Sequence, residues 1–130
     1  MTTERVLVLG AESDLGRACA QALADSGATL ALIAGTTEAE AAFAVKRLAA
    51  RLGARTSQAI DASNEAAVRV MVRQVSKHLG GLDAVIDATG AGYPHVETLA
   101  RRELERSGGG TFLVAHSAED IVDAIEGSAS

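Results

Sequence analysis

Three stretches of the chain carry residue types and spacings that could do chemistry. The first is GAESDLG, Gly10 to Gly16, a glycine pair placed directly after the apolar run VLVL. A loop that runs from a strand into a helix offers unpaired backbone N–H groups and a partial positive charge to an anion. Gly10 suits the turn at the strand end, and Gly16 suits a close approach of helix to strand. The helix is expected to begin near Leu15. Asp14 has the chemistry of its N-cap, worth about 1 kcal/mol. In that role its carboxylate takes the free N–H groups and repels a phosphate; turned outward, it leaves Ser13 and the backbone to hold the ligand. The second stretch is DATGAG, Asp87 to Gly92, at the end of another apolar run.

The third set comprises the proton-transfer and nucleophilic groups. A tyrosine works as an acid–base only with a cation beside it, because its ordinary pKa is about 10. Four residues after Tyr93 stands Glu97, and the two lysines, Lys46 and Lys77, belong to earlier segments. His78, His95 and His116 fall in separate segments without ligand spacing, so no metal site is expected. His116 and Ser117 are neighbours at a strand end and point apart, so they form no nucleophile–base pair. Ser117 reads as an N-cap with Asp120 three residues on. Cys19, alone among alanines in GRACAQA, reads as a small buried apolar residue.

The elements that must position these groups alternate regularly. Apolar runs at Arg5–Leu9, Thr29–Ala34, Arg55–Ile60, Ala84–Ala88 and Thr111–Ala115 read as strands buried on both faces. Helical periodicity fills Leu15–Ser26, Glu38–Leu52, Glu65–Leu79, Val96–Arg106 and Ala118–Glu126. Gly27, Gly53 and Gly80 stop the first three helices, and Thr37 and Asn64 are the expected N-caps of the second and third. Right-handed crossovers then give one α/β domain over residues 1–130, a Rossmann-like three-layer αβα sandwich on a five-stranded parallel sheet of order 3-2-1-4-5. Ligands of such sheets bind where strand order reverses, here between the first and fourth strands. GAESDLG and DATGAG are the two lips of that crevice.

Composition narrows the function classes. The chain has 130 residues and a formal net charge of -5, with aromatic residues at 2%. No basic stripe is available for nucleic acid or a membrane surface, and stacking on bases has almost no side chains to use. The absence of a long apolar run or a signal-like start points to the cytoplasm. A phosphorelay receiver would need an acidic pair after the first strand and a lysine after the fifth, whereas Asp61 stands alone and the fifth strand ends Ala-His-Ser. A methyltransferase would want an acidic residue closing the second strand, where Ala34-Gly35 stands.

From Val6 to Gly90 the chain resembles the short-chain dehydrogenase/reductase family. The family's Gly-x-x-x-Gly-x-Gly is matched by Gly10 to Gly16 with Asp14 at the middle glycine. AIDASNEAAV resembles its Asp-Val-Thr segment, and GGLDAVIDATG resembles Leu-Asp-x-Leu-Val-Asn-Asn-Ala-Gly. The resemblance implies NAD or NADP as cofactor, held by Gly10, Ser13, Asp14, Leu15, Gly16, Thr36, Asp61, Ala88 and Gly90, with Asp61 at the adenine. The choice between the two cofactors stays open, because Ala34-Gly35-Thr36-Thr37 is neither acidic nor basic. GGGTFLVAHS resembles the family's fifth strand and places Ser117 at its substrate-orienting serine.

The departures bear on activity. The family's Tyr-x-x-x-Lys pair has no counterpart, and only thirteen residues follow Ser117. The expectation is therefore a truncated, oxidoreductase-like NAD(P)-binding domain, catalytically incomplete as an isolated chain. The alternative is a non-catalytic structural or partner-binding subunit, a pseudoenzyme that has lost the dinucleotide. In either case a sheet ending at Thr111–Ala115 leaves an edge to be covered, so a homo-oligomer, or a hetero-oligomer with a related subunit, is expected.

Overall fold

The computed structural model describes residues 4–129. Strands β1 (Arg5–Leu9), β2 (Thr29–Ala34), β3 (Thr56–Ala59), β4 (Ala84–Asp87) and β5 (Thr111–Val114) alternate with helices α1 (Asp14–Asp25), α2 (Ala39–Leu52), α3 (Glu65–Leu79), α4 (Pro94–Arg106) and α5 (Ala118–Ala129). All neighbouring strands pair in parallel, in the order β3-β2-β1-β4-β5. This is the doubly wound sheet expected from the alternation of apolar runs and helical periods.

The period of two along each strand divides the core into two layers. Val6, Val8, Leu30, Leu32, Ala84 and Ile86 face one side and pack with Cys19, Leu23, Val45, Leu48, Ile121 and Ile125 from α1, α2 and α5. Leu7, Leu9, Ala31, Ile33 and Val85 face the other, against Val68, Met71, Val75, Leu99 and Leu104 from α3 and α4. Both faces of the central strands are fully covered, which is why β1 reads as an unbroken apolar run.

The helix ends follow local chemistry with two corrections. Asn64 caps α3, accepting the N–H of Ala67 at 3.0 Å, and Gly53 and Gly80 end α2 and α3 in the left-handed conformation. Thr37 does not cap α2: Glu38 takes the cap position without a side-chain hydrogen bond, and the hydroxyl of Thr36 accepts the Glu38 N–H at 3.3 Å. Asp14 does not cap α1 either. That position belongs to Ser13, whose extended backbone (φ -72°, ψ 159°) aims its hydroxyl at the Gly16 N–H three residues on. Among the described residues, no helix is long and apolar enough to cross a membrane.

Candidate functional site

The Gly10–Gly16 loop leaves β1 and immediately hugs both neighbouring strands. The N–H groups of Gly10 and Ala11 both donate to the Ile33 carbonyl of β2, at 2.8 and 3.1 Å. On the β4 side a Cβ at Gly10 would lie 2.7 Å from the Ala88 carbonyl carbon, and its φ of +86° suits glycine in any case. A Cβ at Gly16 would lie 2.1 Å from the Gly10 carbonyl oxygen. Both positions therefore exclude a side chain on packing grounds, as a tight strand–loop–helix passage requires.

Ser13 closes the loop. Its hydroxyl lies 2.8 Å from the Gly10 carbonyl oxygen and 3.2 Å from that of Ala88, so its proton is shared between two acceptors. It accepts the Gly16 N–H at 2.9 Å. The N–H groups of Asp14 and Leu15, the first two of α1, have no hydrogen-bond partner among the described residues. Two adjacent orphan donors at the positive end of a helix dipole suit one anionic oxygen cluster.

The Asp14 carboxylate does not compete for these donors. Its side chain is 96% exposed and is ion-paired with Arg17 on the outer face of α1. The expected clash between Asp14 and a phosphate is thus removed by geometry: one residue earlier in the chain, a smaller hydroxyl does the capping, and the carboxylate swings out to solvent.

The remaining lips come from the ends of β2, β3 and β4. Glu12, from inside the glycine loop, reaches across to β2, where its Oε1 accepts the Gly35 N–H at 3.0 Å. A Cβ at Gly35 would meet the Thr89 methyl at 3.4 Å, Ala62 Cβ at 3.6 Å and Glu12 Oε2 at 3.7 Å. Gly35 is thus the floor of a notch walled by the three. Ala62 is fastened there by its N–H to the Gly35 carbonyl at 3.1 Å, and its own carbonyl meets His95 Nε2 at 2.8 Å. Asp61, exposed beside it, accepts both the N–H and the hydroxyl of Ser63, which hold its carboxyl below the usual carboxylate range.

At the end of β4 the buried Asp87 accepts the Thr89 N–H at 2.9 Å and the Thr89 hydroxyl at 2.6 Å. This turn carries Ala88 against the glycine loop and leaves Gly90 exposed beyond it. Ser117 follows β5, and its hydroxyl accepts the Asp120 N–H at 3.2 Å at the start of α5. Tyr93 stacks on His95 with ring centroids 5.4 Å apart and packs against the α3–α4 core layer. Its helix neighbour Glu97 is occupied with Arg101 at 2.7 Å. Burial pushes the Cys19 thiol up, away from thiolate chemistry. Among the described residues, no group of three metal-ligating side chains converges.

Gly10, Ser13, Leu15, Gly16 and Ala88 therefore meet in one place, Thr36 and Asp61 follow the neighbouring strands β2 and β3, and Ser117 follows β5, which pairs with β4. Glu12, Ala62, Thr89 and His95 complete the rim. The sequence offers Glu12 as a carboxylate inside the glycine loop, Thr89 as part of DATGAG and His95 as a histidine without ligand spacing, and it gives no signal for Ala62.

Residues 10–125 match the family model described as Enoyl-(Acyl carrier protein) reductase. Among solved structures, the chain is similar to a short-chain type dehydrogenase/reductase from Mycobacterium marinum, at 25% identity and TM-score 0.71, over 85% of this chain and 54% of that one. It is similar to an enoyl-(acyl-carrier-protein) reductase from Anaplasma phagocytophilum in complex with NAD, at 21% identity and TM-score 0.70, over 88% and 53%. It is also similar to an NADPH-dependent 3-quinuclidinone reductase from Rhodotorula rubra, at 19% identity and TM-score 0.68, over 88% and 52%. The chain spans about half the length of these structures. No curated protein sequence matches it.

Proposed function

The chain belongs to the short-chain dehydrogenase/reductase family, and from that premise we propose that it binds a nicotinamide dinucleotide, NAD or NADP, at the Gly10–Gly16 loop. The observation that carries this reading is the pair of unpartnered N–H groups on Asp14 and Leu15, left open because Ser13 caps at Gly16 and Asp14 faces away. The diphosphate would sit on these donors, and Gly10, Gly16 and Ala88 would bring the backbone close to it. When bound, the dinucleotide supplies hydride transfer; the chain's own residues bind and orient it.

The same reading makes the isolated chain a binding unit without turnover. Its one tyrosine has a glutamate, not a lysine, four residues on, and that glutamate is engaged with Arg101. The Ser117 hydroxyl oxygen accepts a helix N–H, that of Asp120. Assembly with another subunit, of the same or a related kind, is part of the proposal: β5 is an edge strand, and Val114 on it is 47% exposed.

Calorimetric titration with NADH and NADPH tests the proposal directly. The expected result is saturable one-to-one binding of at least one of them, with no NAD(P)H consumption in the presence of simple ketones. Absence of binding of both would favour the pseudoenzyme alternative, a partner-binding domain that has lost the dinucleotide.

A further inference from the structure

We infer that Glu12 selects the dinucleotide: its carboxylate, delivered from the glycine loop to the end of β2, favours NAD over NADP. The inference rests on the proposed dinucleotide reading and deepens it. In doubly wound sheets the adenosine ribose lies by the end of the second strand, where an acidic side chain accepts from the 2′-hydroxyl or a basic one meets a 2′-phosphate. The β2 terminus here, Ala34-Gly35-Thr36-Thr37, has neither. The structure supplies the missing charge from elsewhere in the chain. Glu12 Oε1 is anchored by the Gly35 N–H at 3.0 Å, which leaves Oε2 beside the Gly35 notch, 3.7 Å from where a Cβ would stand.

The anchor and the missing side chain work together. A residue larger than glycine at 35 would fill the space between Glu12, Ala62 and Thr89. With glycine there, the notch stays open to a ribose edge, and its charged wall is a carboxylate. A ribose 2′-hydroxyl donates to a carboxylate in a charge-assisted hydrogen bond. A 2′-phosphate in the same place brings like charge against it.

The surrounding charges point the same way. The segments that form the rim, GAESDLG, GTTEAE, IDASN and ATGAG, contain Glu12, Asp14, Glu38, Glu40 and Asp61 and no lysine or arginine. The nearest basic residue in sequence, Arg17, is already paired with Asp14 on the outer face of α1. No cation within these segments offsets the charge of a 2′-phosphate.

The test compares NAD+ and NADP+ binding by calorimetry for the wild-type chain and for Glu12→Gln. Glutamine keeps a carbonyl oxygen for the Gly35 N–H but removes the charge, so the fold is retained, which thermal melting checks. The wild type is expected to bind NAD+ at least about tenfold more tightly than NADP+. In Glu12→Gln that ratio is expected to fall below about threefold, chiefly through tighter NADP+ binding. Equal wild-type affinities, or an unchanged ratio in Glu12→Gln, would overturn the role of Glu12 while leaving the dinucleotide site standing. Binding of neither dinucleotide by the wild type would remove both. If Glu12→Gln does not fold, the same two titrations on Glu12→Ala decide the question, a ratio unchanged from wild type overturning the role of Glu12 and a ratio below about threefold supporting it.

Discussion

Strands β1 and β4 are joined at both of their ends by side chains, and the two junctions are built for different purposes. At the N-terminal edge of the sheet, Arg5 grips Asp83 in a two-pronged ion pair, Nε to Oδ2 at 2.8 Å and one terminal nitrogen to Oδ1 at 2.9 Å. The Arg5 N–H adds a third contact to Oδ2 at 2.8 Å, and the other terminal nitrogen reaches the Gly80 carbonyl at 2.5 Å. Each nitrogen of the Arg5 guanidinium there has a partner within the chain. At the C-terminal edge, the Ser13 hydroxyl bridges Gly10 to Ala88, yet the two adjacent N–H groups of Asp14 and Leu15 have no partner among the described residues. The same strand pair thus carries a closed clamp at one end and an open set of donors at the other. A stable fold can leave polar groups open for a ligand where they touch solvent, and must pair them where they serve only stability.

The largest expected effect comes from closing the open end by force. Gly16→Ala places a methyl group 2.1 Å from the Gly10 carbonyl oxygen and 2.8 Å from Ala11 Cα, both backbone atoms that cannot yield cheaply. It is expected to cost about 3 kcal/mol in urea unfolding and to abolish dinucleotide binding. An unchanged unfolding midpoint would mean that the loop has room the geometry denies.

A smaller effect is expected at the closed end. Asp83→Asn breaks the clamp and should cost about 1–2 kcal/mol at neutral pH, leaving dinucleotide affinity untouched. The Arg5 guanidinium holds the Asp83 carboxyl below its ordinary range. Since the folded-state pKa is the lower one, the stabilisation is complete above the unfolded value of about 3.9 and vanishes as pH falls through the folded value. Unfolding curves of wild type and Asp83→Asn should therefore converge in acid and diverge toward neutrality. A constant gap across pH would assign the loss to packing instead of charge.

The smallest effect is expected at Asp14, although the sequence makes it look decisive. Asp14→Gly restores the residue found in the family's motif but removes only an exposed ion pair with Arg17 and a favourable dipole contact. The stability change should stay below about 1 kcal/mol, and dinucleotide affinity should move less than about twofold. A several-fold gain in affinity would show that the carboxylate returns to the loop in solution.

These residues also mark how far the sequence could be read. The sheet order was legible because both faces of β1, β2 and β4 are covered, which turns each strand into an apolar run between glycine stops. The crevice was legible because the reversal of strand order follows from that topology. The role of Asp14, cap or outward-facing, stays open in the sequence because Ser13 and Asp14 are both good N-cap types, and only the backbone angles decide between neighbours. At α2 the expected cap, Thr37, stands one residue before the position that Glu38 takes. The Glu12–Gly35 contact was beyond reach: it spans 23 residues and depends on how a loop leans across a neighbouring strand.

The Ser13 hydroxyl has a consequence for motion as well as for binding. Helix ends ordinarily fray, exchanging their amide hydrogens through small local openings. Here the Gly16 amide is held by a hydroxyl that is itself held by carbonyls of Gly10 and Ala88. To release that amide, the start of α1 must let go of the loop after β1 and the end of β4 together. Opening of the first turn of α1 is therefore coupled to the loop after β1 and to the end of β4, while the two amides just before Gly16 have no partner to release among the described residues. A ligand arriving at those two amides meets donors already fixed in place and has almost no ordering of the loop left to do.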